Sequence, residues 1–132
     1  MRKNHHYKVN KLVIGTDLSA LIYAYLNNHT FIFKEVIEPT PFEFLPLDFP
    51  LHLFNHEKIE INMTSLDGTA KFGTPKLELW NRLVFVMSCS GLLPFGLKDI
   101  TIREENDLVV VKTKSRNYYY EVGEVIKIKN TF

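Results

Sequence analysis

The feature that most constrains this 132-residue chain is a change of hydrophobic period near its start. Residues 11–14 form a short apolar run that ends at Gly15. Apolar residues then recur at helical spacing, at Leu18, Leu21, Ile22 and Tyr25. Residues 30–33 form a second apolar run, and the loops between the three segments are very short. A strand, a helix and a strand joined in this way predict a βαβ unit with parallel strands.

Residues 36–75 predict an irregular connection followed by a hairpin. The connection contains four prolines, namely Pro39, Pro41, Pro46 and Pro50. Because proline lacks the N–H that a central strand needs, this stretch is expected to be extended and irregular. Residues 58–63 alternate in polarity, which is typical of a half-buried strand. The dipeptide Asp67-Gly68 predicts a tight turn, with residues 69–72 as the returning strand.

Residues 76–132 predict one helix followed by a β-meander. Thr74 as N-cap and Pro75 as the first helical residue start a helix that ends near residue 93, at Gly91 and Pro94. Apolar residues lie on nearly every side of this helix, so we expect burial on more than one side. The meander consists of four short strands, at residues 100–102, 108–111, 118–122 and 125–128.

The fold class predicted from these patterns is α/β, in a single domain over residues 1–132. Its parts are a small Rossmann-like βαβ unit at residues 1–35, the connection and hairpin at residues 36–75, and a second buried helix with an antiparallel meander at residues 76–132.

Composition and charge exclude several classes of function. Sixteen Lys and Arg residues balance fifteen Asp and Glu residues, so no nucleic-acid partner is expected. The longest apolar run, residues 83–93, is too short for a membrane helix of about 20 residues, and no signal-peptide core is present. We therefore expect no membrane association and a cytoplasmic location. The single cysteine, Cys89, excludes an internal disulfide and a multi-cysteine zinc site.

The first strand-to-helix turn has several residues of a dinucleotide-binding turn. Such a turn uses glycine for the tight bend, a second glycine near the pyrophosphate, a small residue for helix packing, and an acid about 20 residues later for the ribose. Gly15, Ala20 and Glu35 occupy the first, third and acidic positions. The middle position is Asp17, whose carboxylate repels phosphates at the helix N-terminus.

These residues, with the later helix and the strands at residues 97–128, resemble the amino-terminal region of FAD/NAD(P)-binding flavoproteins. That group includes the amine oxidases and UDP-galactopyranose mutase. The resemblance implies a Rossmann-type fold that binds FAD, with contacts to the dinucleotide at Gly15, Thr16, Asp17, Leu18, Ser19 and Glu35. A second flavin motif and a substrate domain are not found. The chain is therefore expected to be a reduced relative, or a fragment of a longer protein.

Two hypotheses about function follow. In the first, the chain is a non-catalytic binding or structural module with a decayed dinucleotide site and no cofactor. It would act through protein–protein assembly, as a homo-oligomer or with another protein, because a short sheet leaves open edges. In the second, it is an FAD-dependent oxidoreductase domain or fragment that binds the ADP part of FAD, and whether it is an enzyme stays open. Many Asn, Lys, Ile and Phe residues indicate an AT-rich genome, such as that of a phage or a small bacterial genome.

Four further groups are interpreted as structural. His52 and His56 have the spacing of helical metal ligands, but the nearby prolines favour a loop. Cys89 lies in the most apolar helix, where a thiol is inert. Tyr118, Tyr119 and Tyr120 are expected to pack within a strand, because no basic residues alternate with them. The phenylalanines between residues 42 and 54 are expected to cover a sheet face, or to form a partner surface if they are exposed.

Overall fold

The protein was analysed as a computed structural model that describes residues 5–46, 48–54, 64–65 and 72–128. These residues form a mixed α/β structure. Its elements in chain order are β1 (His5–Gly15), α1 (Leu18–Asn27), β2 (Thr30–Phe33), a 3-10 helix (Leu51–Phe54), β3 (Thr64–Ser65), β4 (Phe72–Gly73), α2 (Lys76–Ser90), β5 (Thr101–Glu105), β6 (Leu108–Lys112) and β7 (Asn117–Lys127). Five strands form one sheet in the order β2-β1-β7-β6-β5, and β3 pairs with β4.

The predicted βαβ unit is confirmed. Strands β1 and β2 pair in parallel, with Leu12 opposite Thr30 and Gly15 opposite Phe33. Helix α1 follows β1 directly, and it ends at Asn28, which adopts the left-handed conformation with φ 57°. The change from strand to helical period therefore identified the first three elements correctly.

Strands β1 and β7 are longer than predicted because they pair with each other in parallel. The pairing runs from His5 opposite Tyr118 to Ile14 opposite Lys127. The two strands predicted at residues 118–122 and 125–128 are thus one strand. Gly123 lies within it, where an added Cβ would come within 2.7 Å of the Asn10 carbonyl oxygen. Close approach of two backbones explains this glycine, which does not mark a turn.

The predicted antiparallel meander is also present. Strand β6 pairs with both β5 and β7 in antiparallel fashion. The edge strand β5 carries Arg103, Glu104 and Glu105, and charged residues of this kind discourage further pairing. At the other edge, the Phe31 N–H donates to the Leu92 carbonyl oxygen at 2.7 Å. The two edges are therefore less open than the sequence predicted.

The core consists of two clusters of buried apolar side chains. On β1, Val13 contributes to the cluster that includes both helices, whereas Leu12 and Ile14 contribute to the other. The larger cluster contains Phe31, Phe33, Leu79, Trp80, Leu83 and Met87, among others. The second is closed by Phe95 and includes Val109, Val111, Tyr120 and Val122. Because successive side chains of β1 point to opposite faces of the sheet, this strand contributes to both clusters.

Helix α2 differs from its prediction at both ends and in its burial. It begins after Pro75 without a side-chain cap, so the predicted capping role of Thr74 is wrong. It ends at Gly91, whose φ of 83° favours glycine. One stripe of the helix is buried, but Phe85 is 62 % exposed. The prediction that this helix is buried on more than one side is therefore wrong. Cys89 is exposed, so the apolar surroundings from which an inert thiol was predicted are not present.

Some predictions fall outside the described residues. These are the strand at residues 58–63, the turn Asp67-Gly68, and His56. On either side of that turn, β3 and β4 form an antiparallel pair. Within the described residues, neither helix combines the length and apolar character needed to cross a bilayer.

Candidate functional site

The predicted nucleotide corner comprises residues 15–19 and Glu35. It lies at the carboxyl ends of β1 and β2, which is where open parallel sheets bind their ligands. The Lys34 N–H donates to the Gly15 carbonyl oxygen at 2.9 Å, so the ends of the two strands meet. The structure thus places all six predicted residues in one region of the molecule.

Gly15 is required by packing between β1 and α1. A Cβ at this position would lie 2.3 Å from the Cβ of Ala20 and 3.2 Å from the ring of Phe31. No side chain fits there without a shift of the strand or the helix. Close helix-to-strand contact therefore accounts for the glycine without a bound phosphate.

Asp17 is the N-cap of α1. One of its carboxylate oxygens accepts a hydrogen bond from the Ala20 backbone N–H at 3.3 Å, and the residue is only 7 % exposed. This N–H belongs to the first turn of the helix, whose free donors otherwise attract an anion. The Asp17 carboxylate therefore satisfies one of the free donors at this helix N-terminus.

The connection after β2 covers the corner. Its Ile37 N–H donates to the Thr16 carbonyl oxygen at 2.7 Å. Further along, the Lys76 N–H donates to the Glu43 carbonyl oxygen at 2.9 Å, and the Leu45 N–H donates to the Thr74 carbonyl oxygen at 2.8 Å. The connection is thus attached to the corner near its start and to the beginning of α2 near its end.

The space left at the corner is a cavity of about 70 Å³. Of the predicted residues, Asp17, Leu18 and Ser19 line it, whereas Gly15, Thr16 and Glu35 do not. Glu35 is exposed at the end of β2. Pockets that hold drug-sized ligands measure about 300–1,000 Å³, so this cavity is far smaller than a pocket of that kind.

The charges around the cavity are mainly negative. Asp17, Glu38 and Glu43 line it together with a single cation, Lys76, whose Nζ lies 4.0 Å from Glu43 Oε1. The Thr40 backbone N–H donates to Glu43 at 2.7 Å, and this bond, with the Thr40 hydroxyl and Lys76, lowers the pKa of the Glu43 carboxyl below its usual value. An added diphosphate would meet three carboxylates and one ammonium group.

A larger cavity lies at the opposite end of the same parallel strands. This aromatic groove, of about 700 Å³, is formed by the beginnings of β1 and β7, the loop after α2 and the turn between β6 and β7. Its lining includes four aromatic rings and two lysine side chains, namely Tyr7, Phe95, Tyr118, Tyr120, Lys98 and Lys114. Sequence analysis missed this site because these residues come from separated segments. The available signal was the Tyr118–Tyr120 run, which we interpreted as strand packing because no basic residues alternate with the tyrosines.

The histidine pair gives no metal site within the described residues, and His56 lies outside them. His52 lies in the 3-10 helix Leu51–Phe54, and the described residues contain no cluster of three or more His, Cys, Asp or Glu side chains suited to a metal ion. Comparison with protein-family models, with curated proteins and with solved structures finds no match to this chain.

Proposed function

We propose that this chain is a non-catalytic, Rossmann-like module with a decayed dinucleotide site, and that it acts through protein–protein contacts. The observation that carries the proposal is the closed nucleotide corner. Asp17 caps the helix from within, the connection is bonded to Thr16, and about 70 Å³ remains. A βαβ unit in this state retains its packing role without holding a cofactor.

The contact surface in this proposal is the connection ridge, defined as Val36, Ile37 and Phe42. These side chains are 39 %, 49 % and 86 % exposed, and all belong to the segment that covers the corner. A largely exposed phenylalanine is costly in water, since burial of a large aromatic side chain contributes roughly 1.5–3 kcal/mol. Exposed apolar side chains on one segment therefore favour a protein partner, either a second copy of the chain or another protein.

Light scattering on the purified chain tests self-association directly. We expect a homo-oligomer at tens of micromolar protein, and Phe42→Ser should shift it to the monomer. The matched control is Phe85→Ser, which removes an exposed phenylalanine from α2, outside the ridge. A strictly monomeric chain, or equal loss of assembly in both variants, would contradict the proposed self-association through the ridge.

An FAD-dependent oxidoreductase domain or fragment is the alternative. It is favoured by the parallel strands β1 and β2 with the acidic Glu35 at the end of β2, an arrangement that suits an adenosine ribose. For FAD to bind, the connection must leave Thr16 and the Asp17 carboxylate must turn away. Visible flavin absorption in the purified chain, or saturable FAD binding that the Glu35→Ala variant loses, would replace the first proposal with this one.

The proposed location is the cytoplasm. The exposed thiol of Cys89 is compatible with a reducing compartment. Cell fractionation with a tagged chain checks this expectation.

A further inference from the structure

The aromatic groove has the size and position of a ligand site. Its volume of about 700 Å³ falls within the range of small-molecule pockets, unlike the cavity at the nucleotide corner. It lies at the amino ends of the parallel strands, so it is separate from the site implied by the resemblance to flavoproteins.

One wall of the groove consists of aromatic rings that hold one another in place. Tyr7 stacks on Tyr120 and Tyr118, with ring centroids 5.1 Å and 6.4 Å apart. Phe95 meets the same two tyrosines edge-on, at 6.2 Å and 5.0 Å. Tyr7 is nevertheless 44 % exposed, whereas Phe95 and Tyr120 are buried. The wall therefore presents a fixed, partly open ring surface to which a flat ring can add.

The hydroxyl of Tyr120 is the polar group that needs a partner. Tyr120 lines the groove and is only 5 % exposed, yet its hydroxyl has no hydrogen-bond partner among the described residues. A phenol hydroxyl both donates and accepts hydrogen bonds, so at the wall of an open groove it can exchange water for a ligand atom. A ligand atom that accepts a hydrogen bond in the groove would satisfy it.

Burial and the nearby hydroxyls of Tyr7 and Tyr118 raise the pKa of Tyr120 to about 12. The phenol consequently stays protonated and remains a donor throughout the physiological range. The effect of Tyr7 and Tyr118 on Tyr120 also indicates that the three hydroxyls lie in one region of the groove.

Cations line the groove beside the rings. Lys8, Lys98 and Lys114 are balanced only by Asp99 among the charged lining residues. Within the described part of the chain, none of these four residues forms an ion pair. Their charge is therefore available to an anion from solution, in contrast to the acidic nucleotide corner.

We propose that the aromatic groove binds a small aromatic anion, meaning a planar ring with one phosphate or carboxylate group. The ring would pack on Tyr7 and Tyr118, Tyr120 would donate a hydrogen bond, and Lys98 and Lys114 would attract the anionic group. A nucleoside monophosphate and an aromatic carboxylate share this chemistry.

Titration of the ¹⁵N-labelled chain with adenosine monophosphate, 1-naphthoate and neutral adenosine tests the proposal. We expect saturable amide shifts around residues 7, 95, 98, 114 and 118–120 with at least one of the two anions, and weaker binding of adenosine. Preference between the two anions identifies phosphate or carboxylate as the favoured group. No saturable shifts at millimolar concentrations, or equal binding of adenosine, would overturn the proposal.

Two matched pairs of variants locate the site. Tyr120→Phe removes only the hydroxyl and should weaken binding about threefold to tenfold, the usual effect of one neutral hydrogen bond. Tyr119→Phe is its control, because Tyr119 does not line the groove. Lys98→Gln should weaken anion binding and its dependence on salt, whereas Lys34→Gln at the opposite end should not. Equal effects within either pair would overturn the assignment.

Binding of an oligonucleotide would lead to a different conclusion. If an oligothymidylate binds at far lower concentration than adenosine monophosphate, the groove recognises a nucleic-acid strand and the small-ligand proposal is wrong. Circular dichroism melts of each variant show whether it has folded before its affinity is compared.

Discussion

The two ends of the parallel strands β1, β2 and β7 differ in almost every property that determines binding. At the carboxyl ends, the nucleotide corner is acidic, capped by Asp17, covered by the connection and reduced to about 70 Å³. At the amino ends, the aromatic groove is open, lined by lysines and about 700 Å³ in volume. Open parallel sheets usually bind ligands at their carboxyl ends. The comparison shows that a local turn motif identifies where a site can form, whereas the neighbouring chain decides whether space remains.

The largest expected effect concerns the packing role of Gly15. Gly15→Ala should lower the free energy of unfolding by about 2–3 kcal/mol, because the new Cβ overlaps that of Ala20. Ala20→Gly alone should cost about 1 kcal/mol of helix stability. Urea unfolding measures each variant.

The double variant of Gly15→Ala with Ala20→Gly distinguishes packing from phosphate binding. Its loss of free energy of unfolding should be smaller than the sum of the losses in the two single variants, because removal of the Ala20 methyl group relieves the overlap. Strict additivity would contradict a packing role for Gly15 and weaken the contrast between the two ends.

A slightly smaller effect is expected from Tyr120 at the groove. Its pKa of about 12 in the folded chain exceeds the ordinary value of 10.0 in the unfolded chain. The stability from this difference is therefore complete below pH 10 and is lost as the pH rises through 12. Two pKa units correspond to at most about 2.7 kcal/mol, and contact of the hydroxyl with solvent in the groove lowers this to about 2 kcal/mol. The free energy of unfolding, measured between pH 9 and about 12, should fall more steeply with pH in the parent than in Tyr120→Phe.

The control for this titration is Tyr119→Phe, which should retain the full slope of the parent. Equal slopes in the parent and in Tyr120→Phe would show that Tyr120 ionises normally in the folded chain. The hydroxyl would then be hydrated, and its need for a ligand partner would disappear.

A third prediction concerns the cap at the corner. Asp17→Ala should cost about 1 kcal/mol, because the Ala20 N–H loses its acceptor, while Asp17→Ser should retain most of the stability. Thermal unfolding compares the two variants with the parent.

The same position tests whether charge alone excludes a dinucleotide. Asp17→Gly removes the carboxylate, yet we expect no gain in FAD affinity, because the connection still occupies the space beside Thr16. Tight FAD binding by this variant would show that the corner is blocked by charge and remains large enough for the cofactor.

The smallest expected effect is on the stability of ridge variants. Phe42→Ser and Phe85→Ser should each change the free energy of unfolding by less than about 0.5 kcal/mol under monomeric conditions, since both side chains are mostly exposed. A large loss of stability in Phe42→Ser, measured by urea unfolding of the dilute chain, would show that Phe42 has a role in the core and would remove the ridge as a contact surface.

Local patterns predicted the parts of the fold that depend on local order. The period change at Gly15 predicted β1, α1 and β2. Short alternating or apolar runs separated by turns predicted the antiparallel strands near residues 100–122. The parallel pairing of β1 with β7 could not be predicted in this way, because it joins residues more than 100 positions apart. That pairing also makes Gly123 a site of close approach, although a glycine in an isolated sequence indicates a turn equally well.

The site was harder to predict for the same reason. Gly15, Ala20 and Glu35 follow the spacing of a dinucleotide turn, but the same spacing serves helix packing, which Ala20 and Phe31 demonstrate. The groove combines Tyr7, Phe95 and Lys114 from three distant segments, so no local motif identifies it. The exposure of Cys89 depended on which stripe of α2 packs inward, and the apolar character of the helix on nearly every side did not reveal it.

The most direct test of the contrast between the two ends is an amide-shift map of the chain with saturating adenosine monophosphate. This molecule carries the chemistry of both candidate sites, a phosphate next to an adenosine and an aromatic anion. The account predicts shifts around residues 7, 95, 98, 114 and 118–120, with residues 15–19 and 35 unchanged. Shifts at Gly15, Asp17 and Glu35 with an unperturbed groove would contradict it.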